Sequence, residues 1–376
     1  MTALMQSCLP SVAYAQPVVY ADRGGVELID RFAAEWHDLC RDARDDQPFF
    51  HPEWVRAYLR AFCPKARLQI VTARIENKLT LILPLIEETA TFSKIPVRRW
   101  RVPVNSTSGR FDAVCRIGAA GDAALRATWN FLRDLRGWNV LQFFDSLAGS
   151  TVSRIVEMAR ADGFRTVTVP DRPNPVIRIP SDFEQLQKMP PNSKLRSQLR
   201  QIRIRIQQEG RLTFRRTTEA TPDALERFYR LEASGWKAHS GSCALKDGSR
   251  PFYDEVMHAA ARRGFLSLST LELNGNLIAA HMSLVHRDRC YSPKVAYNES
   301  YKKFAPGHLI IGEILRDCLE RGIRVFDITG QDQPWKLKWT SECQQVSHHY
   351  IFKGRLGSLA HAVGSRVRAA QGSSWS

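Results

Sequence analysis

Two pairs of segments recur across the two halves of this chain in the same order, and that recurrence restricts the fold more than any other feature. "ARIENKLTLILPLI" (73–86) matches "LELNGNLIAAHMSL" (271–284). Each reads as a strand, a tight turn at Glu76-Asn77 or Asn274-Gly275, and a second strand; Asn-Gly between alternating apolar residues is the strongest short hairpin signal. Further on, "LRDLRGWNVLQFFD" (132–145) matches "LRDCLERGIRVFDI" (315–328). Each reads as a helix end, a glycine that stops it, and an apolar strand closing on Asp145 or Asp327. An internal duplication of one α/β unit follows. Periodicity predicts helices over 26–44, 52–62 and 123–136, with strands over 68–75, 79–86 and 140–144. In the second half it predicts helices over 222–237, 252–263 and 308–321, and strands over 266–273, 277–286, 289–297 and 324–328.

The length of 376 residues agrees with two domains. The sequence divides into a ragged N-terminus (1–20), a first domain (21–185), a helical connector (186–210), a second domain (211–355) and a basic tail (356–376). The fold class is α/β, with mixed sheets flanked by helices. A hydrophobic share of 44% against 24% charged residues is globular, and no apolar run approaches the roughly 20 residues of a membrane span. The opening "MTALMQSCLPSVAYAQ" lacks a basic start, so a cytoplasmic protein is expected. Eight scattered cysteines form no CxxC pair, and the adjacent His348 and His349 alternate faces on a strand; no metal site is expected. The formal charge of +16 calls for an anionic partner: nucleotide phosphate, nucleic acid, anionic lipid or sugar phosphate.

The connector "PPNSKLRSQLRQIRIRIQQEG" places Leu195, Leu199, Ile202 and Ile206 on one helical stripe, with Lys194, Arg196, Arg200, Arg203 and Arg205 around the rest. Asn192 or Ser193 can cap its start and Gly210 can end it. Its basic face is either simply solvated or a contact for phosphate, tRNA or an anionic membrane surface. DNA is not among the expected partners.

The second half carries the stronger chemical signal. In "YKKFAPGHLIIGEIL" (301–315), Pro306 and Gly307 precede an apolar helical run, with Lys302 and Lys303 just before them. A helix starting there has unpaired N–H groups in its first turn and suits a phosphate or pyrophosphate. The first half has "NSTSGRFDAV" in place of this Pro-Gly entry. Upstream, Pro293 sits inside a strand, where it cannot donate to a ladder and so implies an edge, a bulge or parting strands. Parted strands next to an anion-binding turn would hold an extended pantetheine arm and a diphosphate.

At this point four stretches, "LEASGWKAHSG" (231–241), "PKVAYNESYKKFAPGHLI" (293–310), "RGIRVFDITG" (321–330) and "WKLKW" (335–339), resemble a GCN5-related N-acetyltransferase (GNAT) domain. The subtype they resemble is the cellulose-biosynthesis-type (BioF2-like) acetyltransferase, a relative of the Fem peptidyltransferases with two such domains in tandem. The resemblance implies an acyl-CoA co-substrate, acetyl-CoA or longer. It would be held by the turn at Lys303, Phe304, Ala305, Pro306, Gly307, His308 and Leu309, with Val295 and Ala296 offering strand backbone. Asn298 stands where the group often shows Asp. The resemblance also implies a small sugar or amino-acid acceptor in exopolysaccharide or cell-envelope metabolism.

Thioester aminolysis needs a proton acceptor, oxyanion stabilisation and a proton for the thiolate. Asp327 is a candidate base or orienting group, or caps the loop after its strand. Tyr297 can protonate sulfur or pack in the core. Lys294 and Lys336 can bind acceptor anions or lie on the surface. Trp236, Trp335 and Trp339 can wall an acceptor pocket or be buried. Two alternatives stay open: a Fem-like transferase using aminoacyl-tRNA, and a tandem binding protein without turnover.

Overall fold

The structure is a computed structural model that describes residues 15–92, 95–235, 243–245 and 247–354. Its two mixed sheets repeat one strand order. The first runs β1 (Val18–Gly24), β2 (Arg67–Ile75), β3 (Lys78–Phe92), β4 (Ile95–Arg101), β6 (Val140–Leu147), β15 (Val346–Phe352), β7 (Arg165–Pro170), with β5 (Val114–Cys115) on β3. The second runs β9 (Leu212–Thr217), β10 (Leu266–Leu273), β11 (Asn276–His286), β12 (Arg289–Tyr297), β13 (Val325–Asp327), β8 (Asn174–Arg178), β14 (Cys343–Gln344). In each sheet four antiparallel strands lead to one parallel pair, β4 with β6 and β12 with β13. The duplication read from the paired segments is thus a duplication of topology.

Both anticipated hairpins form. Glu76 and Asn77 have φ of 49° and 61°, and Asn274 and Gly275 have 51° and 81°. Left-handed dihedrals at both central positions match the twist of the flanking strands, which is why these residue types recur there. Helix α2 (Pro52–Phe62) starts on its proline, as read. The connector helix α6 (Ser193–Glu209) is capped by Asn192, whose side chain accepts from Leu195 N–H, and it buries Leu195, Leu199, Ile202 and Ile206.

The sheets do not follow the linear division of the chain. Strand β8 lies in the segment assigned to the first domain yet pairs with β13 of the second sheet. Strand β15 lies in the second segment and sits between β6 and β7 of the first sheet. Each sheet therefore takes one inner strand from the other half. One apolar core also crosses between halves: Phe49, Trp54 and Tyr58 of the first half cluster with Phe252, Tyr253 and Tyr291 of the second. Nor is the N-terminus ragged up to residue 20, because β1 pairs with β2 from Val18 onward and closes the sheet edge. Helix α7 (Pro222–Ala233) ends before the expected residue 237, while the 356–376 tail lies outside the described residues.

Candidate active site

Strands β12 and β13 pair only across Arg289–Tyr291 and Val325–Asp327. Beyond Tyr291, β12 keeps β11 as its partner and runs on to Tyr297. The register shifts between Met282 and Leu284, opposite Ser292 and Pro293. A proline cannot donate to the ladder, so the bulge falls where the sequence placed it. On the other side Thr329 (φ 44°) and Gly330 (φ 66°) turn the chain away, and Thr329 Oγ1 donates to the Ser292 carbonyl at 2.6 Å. The two strands thus part into a wedge.

Helix α9 (Pro306–Glu320) begins at this wedge. Ala305 is left-handed (φ 44°), and its carbonyl accepts from His308 N–H (2.9 Å) and Leu309 N–H (3.1 Å). The Gly307 N–H has no hydrogen-bond partner among the described residues. A helix N-terminus with a spare donor can seat an anion, with the helix dipole in its favour. A Cβ on Gly307 would stand 3.4 Å from the Tyr297 ring, so a longer side chain would occupy the seat itself. Lys302 lines the adjoining cavity, while Lys303 turns away to Glu209 at 3.2 Å.

The wedge opens into a cavity of about 1680 Å³ between the halves. Residues from Ser292 to Tyr297, Ala305 to His308 and Ile328 to Gly330 form one side; Phe49, Trp54, Asn105, Thr107 and Arg110 of the first half form the other. Tyr297 faces it, its phenol pushed up by burial first and by Glu299 second. The His308 imidazole is pushed down to about 4 by burial, then by Lys338, and its Nδ1 accepts from Trp339 Nε1 at 2.9 Å. It is neutral at physiological pH.

Several anticipated residues take other places. Trp339 does not wall the cavity: it is 2% exposed and packed in the core under α9. Phe304 and Leu309 are likewise core residues. Lys294 is no surface lysine; its Nζ donates to Glu232 at 2.8 Å and lies 4.8 Å from the Tyr253 ring centroid, in the cavity wall. Lys336 Nζ donates to the Thr329 carbonyl. Trp335 lines the cavity, and Trp236 lies outside the described residues. Asp327 is unsuited to be a base. It is fully buried, ion-paired to Arg110 at 2.9 Å and Arg289 at 3.5 Å, and accepts from Asn174 (2.9 Å) and Thr329 N–H (3.0 Å). Burial alone would raise its carboxyl; Arg110 first, with Arg110, Asn174 and Thr329 hydrogen bonds, overcomes that and holds it below the usual range. It anchors the wedge and caps the following loop.

Sequence reading missed a group on the first-half wall. Asp145, Asp171 and His348 line the same cavity, their ligand atoms within 4.8 Å of one another. The one signal was the alignment of Asp145 with Asp327; His348 read as a plain strand residue, yet β15 carries it into the first sheet. Two other groups with such spacing are tied up within the protein. His37 meets Glu53 at 2.9 Å, and Asp46 binds His51 (2.9 Å) and His286 (2.7 Å) across the halves. Burial, with Asp46 and Glu53 behind it, pushes the Cys40 thiol beside them up.

Residues 193–337 match the acetyltransferase (GNAT) domain family. No curated protein matches the chain. Among solved structures, FemX superposes with a TM-score of 0.59 at 10% identity, over 85% of this chain and 96% of that one. The C-terminal domain of a putative lysylphosphatidylglycerol synthetase from Agrobacterium fabrum gives 0.55 at 12%, over 90% and 96%. L-PGS from Bacillus licheniformis gives 0.51 at 14%, over 84% and 96%. The parted strands and the Pro306 helix fall inside the segment that matches the acetyltransferase (GNAT) domain family, in a chain of two mixed sheets flanked by helices.

Proposed function

We propose that the chain is an acyl-CoA-dependent acyltransferase whose donor lies in the wedge between β12 and β13. The observation that carries this reading is the unpartnered Gly307 N–H at the start of α9, at the mouth of strands that part at Pro293. The pantetheine arm runs along β12 from Lys294 to Tyr297 as an added strand. The diphosphate rests on the α9 start with Lys302 beside it, and the thioester points into the cavity, where the Tyr297 phenol protonates the departing thiolate. The acceptor, an amine or a hydroxyl, enters against the first-half wall. Its assignment to exopolysaccharide or cell-envelope metabolism rests on the sequence resemblance alone.

A second reading, transfer from aminoacyl-tRNA, is favoured by the exposed Arg200 and Arg205 on α6, which contacts the turn carrying Lys302. Calorimetric titration with acetyl-CoA and longer acyl-CoAs, run beside an aminoacyl-tRNA transfer assay, separates the two. Acyl-CoA should bind, and Gly307→Glu should weaken it at least about 30-fold by filling the seat with a like charge. Unchanged affinity in that variant, or transfer from aminoacyl-tRNA with no acyl-CoA binding, overturns the reading.

A further inference from the structure

The arginines of "VRRWR" (97–101) take no part in the donor groove, yet two of them line the opposite wall of the cavity. Arg99 and Arg101 alternate along β4, so their side chains share one face of the strand, while Trp100 between them enters the first core. Both guanidiniums meet the same carboxylate oxygen, Glu88 Oε1 on the neighbouring β3: Arg99 Nε at 2.6 Å and Arg101 Nε at 3.1 Å. One counter-ion therefore serves two cations. Arg101 Nη1 donates to the Tyr58 hydroxyl at 3.0 Å and to the Val102 carbonyl at 3.2 Å, but its Nη2 finds only the Cys63 sulfur at 3.4 Å, a weak acceptor. Arg99 Nη1 has no acceptor among the described residues.

The Arg99 and Arg101 side chains are 24% and 13% exposed, so the surplus charge is held largely away from bulk water. A half-buried guanidinium pair with a single carboxylate carries a desolvation cost that a bound anion offsets. The planar fork of arginine matches a carboxylate or a phosphate through paired N–H donors. Arg172, in the segment after β7, lines the same wall, and Pro173 behind it favours an extended backbone there. Other cations of the cavity are committed: Arg110 Nη2 to Asp327 and Lys294 to Glu232. Asp145 and Asp171 oppose an anion at the far end of the wall. Asp145 lies three residues beyond Gln142, the register partner of Arg101, or about 10 Å along β6. The anion seat is thereby confined to the β4 end.

Resting on the acyl-CoA reading, which fills the second-half side of the cavity, we propose that the acceptor is an anion and that Arg99 and Arg101 hold its phosphate or carboxylate group. A cavity of about 1680 Å³ exceeds the roughly 300–1,000 Å³ of a single small-ligand pocket, so the donor arm and an acceptor fit side by side. The charged group sits against β4, and the nucleophilic end of the acceptor reaches across to the thioester. The seat selects by charge, because a neutral acceptor leaves the two guanidiniums sharing Glu88.

The test uses the full chain, isotope-labelled at arginine and saturated with coenzyme A so that the donor's own anion seat is filled. Methyl phosphate and acetate are titrated at constant ionic strength against sodium chloride, and NMR follows the Nε–H signals of Arg99 and Arg101, identified from Arg99→Gln and Arg101→Gln. At least one of the two oxyanions should move both signals saturably, and the tighter of the two names the group the acceptor carries. Arg99→Gln should weaken that binding about tenfold, and Arg99→Lys, which keeps the charge without the fork, should restore only part of it. If Arg101→Gln unfolds the chain by stranding Glu88 and Tyr58, Arg99→Gln decides alone. No saturable shift with either oxyanion, shifts no larger than those from chloride, or unchanged affinity in Arg99→Gln would each overturn the proposal. If coenzyme A fails to bind, the donor reading fails separately. The same titration of Gly307→Glu, whose donor seat is occupied by its own side chain, then supports the β4 seat by saturable binding and overturns it by the lack of any.

Discussion

Replacing Arg110 by Met should destabilise the chain by about 3 kcal/mol at pH 7. Arg110 comes from the loop between β4 and β5, and its guanidinium reaches Asp327 of the second sheet at 2.9 Å. The side chains are 7% and 0% exposed, so neither charge is solvated. Breaking a buried pair from one side costs about 3–5 kcal/mol because the other charge is stranded. Arg289, 3.5 Å from the second oxygen, keeps part of the compensation, which sets the expectation at the low end. Asp327→Asn strands Arg110 in turn, and the double variant Arg110→Met/Asp327→Asn, with both charges gone, should recover to within about 1–2 kcal/mol of the native chain. A coupling energy of at least about 2 kcal/mol from urea unfolding followed by tryptophan fluorescence is expected. The pH dependence has a definite sign. Asp327 has its folded pKa depressed, so its stabilisation is present above about 3.9, the unfolded carboxyl value, and fades as pH falls through the folded value. The gap between native chain and Arg110→Met should therefore narrow below about pH 4. A cost under about 1 kcal/mol for Arg110→Met, or a fully stable Asp327→Asn chain that has lost only turnover, would refute the anchor role and return Asp327 to the list of bases.

Two further variants probe how the site is supported. Trp339→Ala should cost about 3–5 kcal/mol by opening a cavity under α9 and leaving His308 Nδ1 without its donor, read by thermal and urea unfolding. Asp112→Ala should cost on the order of 3 kcal/mol, since the buried Asp112 carboxylate accepts from the N–H groups of Ala113, Thr151 and Val152 at the start of α4 (Thr151–Ala161). A change below about 0.5 kcal/mol in either would show that these groups find other partners.

Features written in one short stretch were legible beforehand. Pro306-Gly307 starts a helix, Pro293 breaks a ladder, and Asn274-Gly275 turns a hairpin, because each acts through its own dihedrals and donors. What depends on a partner far along the chain was not. Arg110 meets Asp327 across 217 positions, and nothing local to Asp327 distinguishes a base from the centre of an ion-pair network. Lys294 reads as an anion binder or a surface lysine until Glu232 of α7 is placed against it. The Asp145, Asp171 and His348 wall exists only because β15 crosses into the first sheet, and strand exchange leaves no signature in periodicity. Trp339 illustrates the remaining ambiguity: an aromatic near a binding turn can face the ligand or hold up the helix beneath it, and here it does the latter.

Amide hydrogen exchange at Gly307, followed by NMR with and without acetyl-CoA, examines the donor seat at the atom concerned. Lacking a partner, this N–H should exchange rapidly in the free chain and slow at least about tenfold when the diphosphate accepts from it. Saturating acetyl-CoA that leaves Gly307 exchange unchanged, while slowing amides elsewhere, would contradict the account.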